Sequence, residues 1–233
     1  MRPNSYSRQW FTTFLGRIDP AIVAREAAFL GRQLGDARLV LDLCCGPGRH
    51  AEPLAQSGYQ VIGVDIDAGA LRDAATRAAD ARFIRGDMRS LPLRDAAVDA
   101  VICMWQSFGH FDESTNENVL REMARVVVPG GRVILDVYER EFHASRLGER
   151  LIEREGVRVH ERRRMRGSRL LVRLHYEREA TDDMFEWQLY TVAELSRVGS
   201  SLGLELRLAC AEFDEGIPAS AEHARMQVVF DSA

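Results

Sequence analysis

Lysine is missing from this sequence: all 31 basic residues are arginine. Without a lysine there is no Schiff-base nucleophile, hence no ordinary pyridoxal phosphate chemistry. The lysine of a Walker phosphate loop is missing as well. Cysteine is sparse, with Cys44, Cys45, Cys103 and Cys210 only. These are neither spaced as metal ligands nor dense enough for a disulfide framework. Adjacent Cys44 and Cys45 would point to opposite faces of a strand end, a poor geometry for a bridge. They read as reduced thiols, and the expected location is cytoplasmic. No apolar run approaches the length of a membrane span, and the first residues carry no apolar core of a secretory leader. A net charge of −4 sets up no global field toward nucleic acid or an anionic membrane.

What is present is enough apolar material for a sizeable core: 46% hydrophobic residues in a chain of 233. Apolar positions recur at helical spacing over residues 20–34, followed by Gly35. Leu39 to Leu43 is a short apolar run without alternation, as in a strand buried on both faces. Helix and strand patterns then alternate: helix 49–56, strand 60–66, helix 68–79, strands 82–84 and 98–104, helix 115–127, a Pro129-Gly130-Gly131 turn, and strand 132–138. Such alternation predicts an α/β fold, a Rossmann-like doubly wound and mostly parallel sheet. After Tyr138 the pattern changes. Residues 157–165 and 170–178 alternate polar and apolar around Gly167-Ser168, and Phe185, Trp187 and Leu189 continue the alternation. This predicts an antiparallel strand insert late in the chain. Thr191 to Glu194 is a capping box opening a helix to about Ser201, and strands 204–208 and 226–230 close the chain. The expected organisation is a single domain: an arm and helix over 1–37, a ligand-binding core over 38–138, an antiparallel insert over 139–190, and final elements over 191–233.

Asp42-Leu43-Cys44-Cys45-Gly46-Pro47-Gly48 lies where the first strand ends and a helix starts. Ligands of doubly wound sheets bind beyond the carboxyl ends of the strands, and small residues let a ligand lie against the backbone. The dinucleotide pattern G-x-G-x-x-G is not met, since only His50 and Ala51 follow the glycines. Asp42 would repel a pyrophosphate and suit an ammonium. Val64-Asp65 ends the second strand, where a carboxylate takes both hydroxyls of a ribose. Gly86-Asp87-Met88 follows the third, where one accepts from the amine of adenine. Three acids at successive strand ends fit a ligand with an ammonium, a ribose and an adenine, and S-adenosylmethionine is such a ligand.

The segments VLDLCCGPGRHA, VIGVDID, FIRGDMRSLPL, VDAVICMWQSFGHF and VVVPGGRVILDVY stand in an order and spacing that resemble class I S-adenosylmethionine-dependent methyltransferases of the small-molecule type. The resemblance covers Arg38 to Tyr138. It implies that Asp42, Cys44, Cys45, Gly46 and Gly48 face the methionine part of the cofactor. Asp65 would hold the ribose, Ile66 pack on the adenine, Asp87 and Met88 flank its amine, and Met104 and Trp105 lie beside the sulfonium. There are two departures: Cys44 replaces the first glycine of D-x-G-x-G-x-G, and His110 replaces the aromatic of S-F-G-[aromatic]-F.

Further candidates lie around this core. His110, just past the fourth strand, is a candidate general base; the alternative is that it only shapes the pocket or bonds the backbone. Tyr6 and Trp10, in an aromatic arm with Phe11 and Phe14, are either core packing or a lid over the cofactor. Tyr138, His143, Trp187 and Tyr190 are candidate acceptor-lining residues. His50 reads as packing, and Asp136 as structural. No metal triad is visible. There is no Asn/Asp-Pro-Pro-aromatic after the fourth strand, nor a Pro-Cys pair. That leaves N-, O- or C-methylation of a small molecule, by in-line displacement from an already activated donor. Rival readings are an RNA or protein methyltransferase docking through the arginine-rich 154–178 hairpin, a non-catalytic cofactor binder, and an NAD-dependent reductase. The expected partner is a small-molecule acceptor, with neither nucleic acid nor membrane; a homodimer is left open.

Overall fold

A computed structural model describes residues 4, 7–15, 18–154 and 156–233. Its elements are α1 (Arg8–Trp10), running into a wider helical turn over Phe11–Leu15, α2 (Pro20–Leu34), β1 (Leu39–Leu43), α3 (Ala51–Gln56), β2 (Gln60–Asp65), α4 (Ala68–Arg77), β3 (Arg82–Arg85), β4 (Val98–Cys103), α5 (Glu113–Val126), β5 (Val127–Tyr138), α6 (Arg140–Ala144), β6 (Gly148–Arg154), β7 (Val157–Arg166), β8 (Arg169–Tyr176), β9 (Thr181–Gln188), α7 (Val192–Ser201), β10 (Leu204–Ala211), β11 (Asp214–Pro218) and β12 (Arg225–Ser232).

Helix starts follow local chemistry. Asp19 accepts from the Ala21 N–H at 2.9 Å with Pro20 in the first turn, Asp112 caps α5 through Thr115 N, and the Thr191–Glu194 capping box opens α7. β1 to β4 pair in parallel, and β5 continues beside β4. The eight-stranded sheet has the order β11-β10-β12-β5-β4-β1-β2-β3, with β12 antiparallel between β5 and β10. The order reverses direction between β1 and β4, which is where open sheets of this kind bind ligands. Apolar layers cover both faces. Val119, Leu120 and Met123 of α5 pack with Leu41, Leu43 and Val101, while Phe29 and Leu30 of α2 and Leu54 of α3 pack with Val40 and Ile102.

The late antiparallel strands form a sheet of their own, β6-β7-β8-β9, rather than an extension of the main one. Val159, Leu170, Val172, Tyr176, Phe185 and Trp187 make its apolar face, with Trp10, Phe14 and Tyr138 against it. The N-terminal arm is fastened there. Asn4 N–H donates to Met184 O, the Asn4 side chain exchanges hydrogen bonds with the Glu186 backbone, and Asp183 accepts from Ser7 N and Ser7 Oγ. Two strands, β6 and β11, had no sequence signal. The Pro129-Gly130-Gly131 turn is a bulge within β5: Val127 pairs with Val98 and Arg132 already with Ala100.

Candidate active site

Asp42, on the last turn of the β1 ladder, is 1% exposed, and its Oδ2 has no hydrogen-bond partner among the described residues. Burial pushes its pKa up to about 6, against the pull of His50 and Arg49. The loop that follows folds back on β2: Cys44 N and Cys45 N both donate to Val64 O, at 2.7 and 3.2 Å. Cys44 occupies its glycine position with φ +59°, a left-handed backbone that costs a side-chain-bearing residue free energy. Gly46 N donates to Asp65 Oδ2 at 2.9 Å, and Asp65 Oδ1 accepts from Asp67 N. A Cβ on Gly46 would meet nothing within 4 Å, so the loop presents open backbone there. A Cβ on Gly48 would stand 3.0 Å from the Ala74 Cβ, so that glycine serves the packing of the loop on α4.

The remaining cofactor candidates gather around this loop. Ile66 is 61% exposed, an apolar side chain left in solvent beside Asp65. Asp87 accepts from Arg89 through N, Nε and Nη2, which holds its pKa below the usual carboxylate range. Met88 is buried with its Sδ 3.6 Å from Cys44 Sγ. Met104 is buried at the end of β4. The hydrogen bond with Cys103, followed by burial, pushes the Cys44 thiol up, and burial pushes up the Cys45 thiol, which disfavours the thiolate at both.

Trp105 and Gln106, the two residues after Met104, both have left-handed backbones at φ +52° and +57°. The turn is held from below by Asp136, which accepts from Trp105 N through its carboxylate and from Gln106 N through its carbonyl, each at 2.9 Å. Arg225 and Gln227 of β12 complete the shell of this fully buried carboxylate. The Trp105 indole N–H donates to Glu26 Oε1 at 2.6 Å, and the Arg49 guanidinium lies 3.7 Å over the ring. Glu26 is also fully buried, with His50 Nε2 at 2.9 Å and Arg49 Nη1 at 3.4 Å. Burial alone would raise its pKa, but the His50, Arg49 and Trp105 contacts win and hold it at about 2.

Sequence reasoning missed this network. His50 does more than pack: it bonds Glu26, and together with Asp136, which is structural as expected, it supports the Trp105 turn. The available signal was Glu26, which shares a helical stripe with Phe29, Leu30 and Gln33.

On the far side of Trp105 lies a cavity of about 460 Å³, lined by Trp105, Gln106 and Tyr138 from the main sheet and by residues of β6 to β9. Trp10 and Phe14 line it as well. Tyr6 lies outside the described residues. Tyr138, His143 and Trp187 line the cavity, but Tyr190 does not: it packs in the core on Phe108, ring centroids 5.6 Å apart. His110 is also absent from the lining. Its Nε2 is 3.2 Å from the Trp187 indole nitrogen and 3.1 Å from Gln106 O, and burial pushes its pKa down to about 4. It braces Trp187 from behind, the backbone-bonding reading of this residue, and the base assignment is not supported by its position. His143 is likewise neutral, pushed down to about 4 by burial and the Arg163 charge, with its nitrogens engaged by Ala224 O and Arg163 Nη1.

The residues present fit S-adenosylmethionine. The two buried side-chain atoms without a hydrogen-bond partner among the described residues are Asp42 Oδ2 and Arg49 Nη1. One is an acceptor and one a donor, a complement to the ammonium and carboxylate of an amino acid. Open Gly46 backbone, the Asp65 carboxylate and exposed Ile66 follow in line.

This sheet order, with acids at three adjacent strand ends and a glycine loop at the switch point, is that of a Rossmann-like doubly wound fold. Residues 40–131 match the family described as "Methyltransferase domain". A demethylmenaquinone methyltransferase of Renibacterium salmoninarum is 38% identical over 96 residues, 41% of this chain and 39% of that protein. A dTDP-3-amino-3,6-dideoxy-α-D-glucopyranose N,N-dimethyltransferase of Streptomyces fradiae is 35% identical over 111 residues, 47% and 43% of the two chains. The chain thus matches about two fifths of the length of these curated relatives. Among solved structures, an S-adenosylmethionine-dependent methyltransferase from Clostridium acetobutylicum superposes with a TM-score of 0.80 at 14% identity, covering 99% of this chain and 98% of that one. The CcbJ methyltransferase of Streptomyces caelestis gives 0.78 at 19% identity, covering 92% and 91%.

Proposed function

We propose that this protein transfers a methyl group from S-adenosylmethionine to a small molecule bound in the cavity beyond Trp105. The observation that carries the reading is the pair of unsatisfied buried atoms, Asp42 Oδ2 and Arg49 Nη1, at the switch point of the sheet. When bound, S-adenosylmethionine supplies a methyl group on an activated sulfonium. Asp42 and Arg49 hold its charged ends, Asp65 its ribose hydroxyls, Ile66 and Met88 its adenine faces, and Asp87 the adenine amine. The strained Trp105–Gln106 turn, fixed by Asp136 and Glu26, separates the cofactor side from the acceptor cavity and aligns the two. Orientation of this kind is the main contribution a protein makes to such a displacement. Trp10 and Phe14 exclude water from the cavity. His110 and His143 are hydrogen-bonded and burial pushes both pKa values down to about 4, which makes them weak bases, so the reading favours an acceptor that needs no protein base, a neutral amine or an ionised oxygen.

The arginine-rich hairpin gives the RNA reading less support than its composition suggested. Arg158, Arg162, Arg163, Arg166, Arg169 and Arg173 each face a carboxylate. The test is turnover: with S-adenosylmethionine and a panel of small amines and phenols, S-adenosylhomocysteine is released only with an acceptor present, and release is lost in Asp65→Ala. Methylation of RNA or protein but of no small molecule would contradict the reading.

A further inference from the structure

The acceptor cavity has two kinds of wall. Trp10, Phe14, Trp105, Tyr138, Phe185 and Trp187 give it aromatic faces, with Phe185 and Trp187 stacked at 5.4 Å and Tyr138 edge-on to Trp187 at 5.3 Å. Its charged lining residues are Arg150, Arg154, Arg163 and Glu161. Glu161 is the only carboxylate among them, is 6% exposed, and is shared: Arg163 bonds both of its oxygens, at 2.8 and 3.1 Å, and Arg150 bonds Oε2. Arg163 is fixed further by its contact with His143 Nδ1. Arg154, on the same edge strand as Arg150, has no carboxylate within ion-pair distance among the described residues and lies 5.8 Å over the Phe14 ring. Among the described lining residues, three guanidinium groups stand against one carboxylate, an excess of two positive charges.

Arg150 and Arg154 are exposed at the cavity mouth, so this charge is solvated in the free protein and sets up a local positive potential that attracts a ligand of the opposite sign. The bulk of the chain is acidic, at −4, so the excess is local. The cavity volume is that of a small-molecule site, and the stacked aromatic faces favour a flat apolar body.

We propose that the methyl acceptor is an organic anion: a flat, apolar molecule with a carboxylate, sulfonate or phosphate held by Arg154 and Arg150, its reactive atom turned toward Trp105 and Tyr138. This rests on the reading of the cavity as the acceptor site. The guanidinium forks of β6 suit an oxyanion better than a neutral polar group, because both partners of the hydrogen bond are then charged.

Two fluorescent dyes of similar shape test it: 8-anilinonaphthalene-1-sulfonate, an anion, and N-phenyl-1-naphthylamine, its neutral counterpart. Both are titrated into the full chain saturated with S-adenosylhomocysteine, whose own binding is measured separately by calorimetry. The sulfonate is expected to bind at one site about tenfold more tightly than the neutral dye, a preference that falls with added salt. Arg154→Gln and Arg150→Gln should each remove most of that preference and leave the neutral dye unchanged. Arg77→Gln, on exposed α4, should change nothing. Trp187→Leu should weaken both dyes. Equal affinity for the two dyes, or a preference indifferent to both arginine variants, would overturn the proposal. Failure of S-adenosylhomocysteine to bind would instead overturn the cofactor reading, whatever the dyes do.

Discussion

Arg49 is the residue on which the account is most exposed. Its guanidinium is buried against Trp105, burial draws its pKa down to about 10, and Nη1 makes no hydrogen bond despite Glu26 Oε2 at 3.4 Å. The guanidinium is ion-paired to Glu26, but the Nη1 donor without a hydrogen bond is left for a second anion. If that anion is the cofactor carboxylate, the wild-type protein should bind S-adenosylmethionine at least about tenfold more tightly than its decarboxylated analogue. Arg49→Gln should bind the two alike. Calorimetry reads both affinities, and an unchanged preference in the variant would remove Arg49 from the site. The three acids and the glycine loop were legible in the sequence because each sits at the end of its own strand, where local pattern fixes position. That Arg49 lies near enough to Asp42 to act on its charge was not, because it depends on the loop turning back over the switch point. His110 and Tyr190 were misplaced for the same reason: proximity in sequence to a strand end does not say on which side of the neighbouring ring a side chain falls.

At the scale of elements, α2, β5 and β12 are joined by charge as well as by apolar packing. Glu26 of α2 reaches Trp105, His50 and Arg49, and its Oε1 is 3.5 Å from Arg225, which also holds Asp136 of β5. Removing one charge from such a buried set leaves the others uncompensated. Glu26→Gln should therefore cost about 3 kcal/mol of stability at neutral pH, read as a lowered urea midpoint. The carboxylate's pKa is depressed in the fold, from 4.5 to about 2, so its contribution is complete above pH 4.5 and lost as pH falls toward 2. The gap between the variant and the wild type should close over that window. A gap that stays constant down to pH 2 would mean that the charge of Glu26 is not what stabilises the junction. The partners of Glu26 lie up to 199 positions away along the chain, beyond any local pattern. β6 escaped notice for a different reason. Six of its seven residues are exposed and the other is half-buried, so no alternation marks it.

Taken whole, the molecule places two sheets around one tryptophan turn. The main sheet carries the proposed cofactor residues at the ends of β1 to β4, and the antiparallel sheet with the N-terminal arm lines a separate cavity. The alternating half of the chain dictated the first arrangement almost completely, whereas how the second sheet stands against the first is set by long-range contacts at Tyr138, Asn4 and Asp183. The measurement that tests the central claim most directly is calorimetric titration of the wild-type chain and Asp65→Ala with S-adenosylmethionine, S-adenosylhomocysteine and NADH. Micromolar-range binding of the first two by the wild type, its loss in the variant, and no heat from NADH are the expected results. Binding of NADH in place of S-adenosylmethionine, or no binding of either sulfur ligand, would contradict it.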